Sequence, residues 1–122
     1  MQSSLSINGV QPNFQAKVAK HFIDDAHKLF NYKHINKDLK VAFDEKVIEF
    51  ENFGFNDYYI KYKKTKVNDA NVHNIVAAKS GDYNSKEILL TSKDQFRKAI
   101  EKFTHISKYE FTQKMKQALE KK

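Results

Sequence analysis

The chain has 122 residues, a formal net charge of +7 and a pI near 9.5, with no Cys, no Trp and a single Pro. That length suits one domain and a buried core without cross-links. The lack of Cys excludes a disulfide framework, a thiolate metal site and thiol catalysis, and no 18-residue apolar run exists to form a membrane-spanning helix.

Residues 1–13 carry no charged side chain and are rich in Ser, Gln and Asn. They lack the basic and apolar regions of a secretory signal, and they read as a flexible tail, with an added strand at Leu5–Ile7 as the alternative. Residues 14–122 read as a single α+β domain. Phe14, Val18, Phe22, Ala26, Leu29 and Phe30 recur at four- and three-residue steps, which predicts an amphipathic helix over 14–33 capped by Asn13. Residues 39–53 fit two patterns. Leu39, Val41 and Phe43 alternate, as do Ile48 and Phe50, while Leu39, Phe43, Val47 and Phe50 also make a helical stripe. The Val, Ile and Phe content favours a strand hairpin turning at Asp44-Glu45.

Residues 57–67 (DYYIKYKKTKV) predict a strand, and 72–79 and 86–91 predict two more, separated by the polar turn that begins at Ser80-Gly81. The expectation is an antiparallel meander of four or five strands. Ser92-x-x-Gln95 and Ser107-x-x-Glu110 are capping-box patterns ahead of Phe96 and Phe111. The C-terminal part is therefore one long helix or two short ones meeting near 104–107, where β-branched Thr104 and Ile106 favour a break. The order helix–strands–helix is also that of the double-stranded RNA-binding domain. However, 92–100 (SKDQFRKAI) lacks the lysine- and alanine-rich start of that family's last helix, so no family is assigned.

Of 22 basic residues only Arg97 is Arg, and Asn is also frequent, a pairing that A-rich codons would produce. The charge is uneven: +3 over 14–40, −4 over 41–60, +4 over 61–79, −1 over 80–91 and +5 over 92–122. Within 58–66, strand parity places Tyr59, Lys61 and Lys63 on one face and Tyr58, Ile60 and Tyr62 on the other. An aromatic ring beside two ammonium groups suits a single-stranded nucleic acid, the ring stacking on a base while the lysines hold phosphates. Lys64, Lys66 and Arg97 would extend this surface, and with one Arg the contacts would be to backbone rather than base edges. This reading requires the lysines to gather on one side without matching carboxylates. The plainer reading is an edge strand whose lysines deter edge-to-edge pairing.

The alternative function is a protein-interaction module, a regulator, adaptor or inhibitor docking an acidic or mixed protein surface. It would use exposed Phe53, Phe55 and Tyr59 as anchors and the neighbouring acidic 44–57 and basic 61–66 segments as a charge mosaic. A third reading is a metal-independent nuclease, with His73 or His105 as general base and Lys61 or Lys63 stabilising the charged phosphorane. Glycine-rich phosphate loops and nucleophile elbows are absent from the sequence. His21 and Asp25 share a helix face but two ligands do not make a metal site. The expectation is thus a non-enzymatic binding module without cofactor or metal, placed in the cytoplasm unless secreted without a leader.

Overall fold

The computed structural model describes residues 17–33, 36–55, 57–81 and 86–120. The proposed tail, the strand at Leu5–Ile7, the Asn13 cap and Phe14 lie outside these. The elements run β1 (Lys17–Val18), α1 (Lys20–Lys33), α2 (Lys37–Phe50), β2 (Tyr58–Val67), β3 (Ala70–Lys79), β4 (Ile88–Leu89), α3 (Phe96–Thr104) and α4 (Lys108–Glu120). The class is α+β, as the patterning implied, with strand order β1-β2-β3-β4.

Four expectations need correction. The helix over 14–33 starts only at Lys20. Lys17 and Val18 pair with Tyr59 and Ile60 as a parallel strand, so the sheet is mixed rather than antiparallel throughout. The Ala19 N–H bonds to the Ile60 carbonyl at 2.7 Å, while the Ala19 carbonyl accepts from Phe22 and Ile23 and so begins α1. Residues 39–53 are not a hairpin but mostly helix. Asn36 caps α2 through its side-chain oxygen, 2.7 Å from the Asp38 N–H, and Phe43, Val47 and Phe50 are buried while Val41 and Ile48 are 54% and 64% exposed. The box at Ser92 does not form, since α3 starts beyond Gln95 with no side-chain cap. The Ser92 hydroxyl accepts instead from the Lys102 ammonium at 2.7 Å. The break near 104–107 is present, and the Ser107 hydroxyl accepts from the Glu110 N–H at 3.0 Å to start α4.

The four helices cover one face of the sheet. Phe22 packs on Phe43 and Phe103 at ring separations of 5.4 and 5.2 Å, and Phe50 stacks on Phe103 at 5.0 Å. These rings meet Ile60, Ile75, Ala77 and Ile88 from the sheet. Each such aromatic pair contributes about 0.5–1.5 kcal/mol beyond its burial.

The hairpin of β2 and β3 turns at Asn68 and Asp69, whose φ angles of 52° and 67° make the left-handed pair that a two-residue loop requires. β4 ends in a bulge, where the Ile75 carbonyl accepts from both Leu90 (2.9 Å) and Thr91 (3.2 Å). No helix of the described residues is long and apolar enough to cross a membrane.

Candidate functional site

Strand register divides the expected nucleic-acid residues between two surfaces. Tyr59, Lys61 and Lys63 lie opposite Ala78, Val76 and Asn74 on the face without helices. Lys64 and Lys66 lie opposite His73 and Asn71, on the helix side. Arg97 is on α3, also on the helix side, with its Nε 3.3 Å from Glu101.

The open-face lysines are also matched. Glu87, beside β4, reaches Lys61 at 3.0 Å and Lys63 at 2.7 Å. Its carboxyl is held below the ordinary range by the Lys63 hydrogen bond and then that of Lys61, against partial burial. The Lys61 ammonium is raised, chiefly by the same carboxylate, and lies 5.8 Å from the centre of the half-buried Tyr59 ring. The ring is thus bordered by an ion-paired cluster. Among the described residues Lys64 and Lys66 have no carboxylate partner.

Phe53 and Phe55 do not stand out as exposed anchors. Phe53 is buried against Phe50 and Phe111, at 4.5 and 5.4 Å. Phe55 is partly buried on Phe111 at 5.7 Å. The pair closes the core where α2 gives way to β2. Of the acidic 44–57 segment, residues 44–50 belong to α2 and are not strand neighbours of Lys61–Lys66; Asp44 engages His27 at 2.7 Å and Glu49 engages Lys46 at 2.7 Å.

The nuclease arrangement is not assembled around His73. His73 points to the helix side, in ring contact with Phe96 at 5.0 Å and Tyr62 at 5.8 Å, whereas Lys61 and Lys63 point the other way. Burial pushes the His73 imidazole below its ordinary value, and its Nδ1 has no partner among the described residues. His105 lies just past the far end of α3, with Nδ1 2.7 Å from the Glu101 carbonyl. Asp25 accepts the Tyr62 hydroxyl, and burial followed by that bond pushes the phenol up to about 12.

A different feature is a cleft of about 430 Å³ between β4, Tyr58 at the start of β2 and the C-terminal half of α4. Leu89, Ala118 and Leu119 give it an apolar wall, and Lys86 and Lys114 supply ammonium groups. Leu89 is 55% exposed and Leu119 41%. The volume falls within the ordinary range for ligand sites. The sequence carried one signal for it. In the run Ile88-Leu89-Leu90, strand alternation buries the first and third residues and leaves Leu89 facing away from the core. Leu119 and Lys114 come from 25–30 residues further along the chain, and nothing local joins them to Leu89.

No family model, curated protein or solved structure matches this chain.

Proposed function

We propose that this chain is a protein-interaction module whose docking surface is the cleft between β4 and α4. The observation that carries the proposal is one cleft bordered by the edge strand β4 and the exposed Leu119 of α4, with the Lys86 and Lys114 ammonium groups among its lining. Buried apolar contact supplies most of the energy of protein association, and charges near it select the partner. The single-platform polyanion model loses its basis, because its lysines divide between two faces and Glu87 neutralises part of the set.

One observation favours a second reading. β1 accompanies β2 only as far as Ile60, so the rest of the hairpin runs on with Lys64 and Lys66 available to a phosphate backbone. A two-stranded ribbon can enter a nucleic-acid groove, and such binding would weaken steeply with salt.

Photo-crosslinking in the producing cells separates the two. A benzophenone amino acid at Leu89 or Leu119 is expected to give discrete protein adducts that Ala118→Arg abolishes by filling the cleft. The same group at Lys66 is expected to give none. Nucleic-acid adducts from position 66, with silence at 89 and 119, would refute the protein-interaction reading in favour of the second.

A further inference from the structure

We infer that the cleft receives an extended acidic segment of its partner as a strand added to β4; this rests on the protein-interaction reading. The first ground is the backbone. The Leu90 N–H bonds inward to Ile75. Along an antiparallel strand successive residues direct their main-chain groups alternately toward and away from the paired neighbour. The Leu89 N–H and C=O therefore point outward, away from β3, and no described residue bonds to them.

The second ground is the contrast between the sheet's two edges. The free part of β2 carries Lys61, Lys63, Lys64 and Lys66, the usual defence against pairing with another chain. β4 is only Ile88-Leu89, followed by Leu90, with neither Pro nor charge in the run. The β4 edge lies beside the cleft, and an exposed sheet edge next to a side-chain pocket is what strand-adding domains use.

The third ground is charge and its spacing. Leu90 and Thr91 share an adjacent cavity with Glu110 and Lys114, whereas Lys86 to Leu89 share the cleft with Gln117, Ala118 and Leu119. α4 therefore runs antiparallel to β4, which puts Lys114 toward the Leu90 end and Lys86 at the other, about 13 Å away at the strand rise. Glu87 is committed to Lys61 and Lys63, and among the described residues Lys114 has only Glu110 at 4.0 Å. In an extended ligand, residues i, i+2 and i+4 share a face. The fitting pattern is carboxylate, any residue, apolar residue, any residue, carboxylate, with the apolar side chain against Tyr58, Ala118 and Leu119. One intervening residue lies opposite Leu89 and exchanges both main-chain bonds with it.

The test is fluorescence anisotropy with an end-capped, labelled peptide Glu-Ser-Leu-Ser-Glu, its Lys-for-Glu counterpart, and the acidic peptide N-methylated at both serines. Saturable binding of the acidic peptide is expected, with the lysine and N-methylated forms each about tenfold weaker, as loss of two ion pairs or of the hydrogen bond to the Leu89 carbonyl implies. The double variant Lys86→Glu/Lys114→Glu should reverse the preference between acidic and basic peptides. Equal binding of the N-methylated form overturns strand addition, and equal binding of the basic form overturns the choice of an acidic partner. A dimer in sedimentation that Leu89→Lys dissolves would overturn the inference by making a second copy the occupant. If the acidic peptide fails to bind while crosslinks at Leu89 persist, this inference falls and the protein-interaction reading stands; loss of both removes both.

Discussion

Thr91→Val tests whether one side-chain hydroxyl completes the sheet at the β4 bulge. Thr91 is buried, and its Oγ1 accepts the backbone N–H of the fully buried Ile75 at 3.0 Å. Valine has nearly the same shape, so no cavity opens, but the Ile75 N–H loses its acceptor. An unpaired buried donor costs about 1–3 kcal/mol, and about 2 kcal/mol, the middle of that range, is expected here. Unfolding entropy near the midpoint is about 2.1 cal/mol/K per residue. For a chain of 122 residues a loss of about 2 kcal/mol therefore lowers Tm by about 8 °C. Thr91→Ser keeps the acceptor and removes one methyl, at about 0.8 kcal/mol and about 3 °C. Thermal unfolding followed by circular dichroism, with urea titration alongside, should rank wild type above Ser and Ser above Val. A valine variant as stable as wild type would refute the reasoning, for Ile75 would then find a main-chain acceptor across the bulge.

Burial holds the His73 imidazole below its ordinary 6.5, so the unfolded chain binds a proton that the native fold resists. The stability from the neutral ring is present above about pH 6.5 and is lost as pH falls toward the native value; urea midpoints at about pH 7.5 and pH 5.5 should fall further for wild type than for His73→Phe, and parallel losses would contradict this. Asp69 holds a φ of 67° in the hairpin turn. Asp69→Gly should stabilise by up to about 1 kcal/mol and Asp69→Val destabilise by about 1–2 kcal/mol, read by the same urea midpoints; valine tolerated without loss would exclude the turn geometry. Glu87→Gln removes the carboxylate shared by Lys61 and Lys63. It should change stability by less than about 1 kcal/mol and strengthen low-salt oligonucleotide binding by the open face; unchanged binding would show that these lysines do not meet phosphates even when released.

Face parity and most of the element order were legible in the residues. Tyr59/Lys61/Lys63 against Tyr58/Ile60/Tyr62 follows from the two-residue period of a strand, and the break between α3 and α4 follows from Thr104, Ile106 and Ser107. Residues 39–53 were not decidable locally, because their apolar side chains satisfy two periods at once. Tertiary packing selected the helix: Phe43, Val47 and Phe50 find Phe22, Phe103 and Phe111 only when they fall on one helical stripe. Burial of those rings outweighs the strand preference of Val41 and Ile48, which the helix leaves in water. The electrostatics divided in the same way. Sequence determined which lysines share a face, since that is set between neighbours on one strand. Whether those lysines are free was decided by Glu87, more than 20 residues away and brought across the sheet by β4. The cleft likewise exists only because β4 and α4 lie side by side, and the fold alone sets that distance.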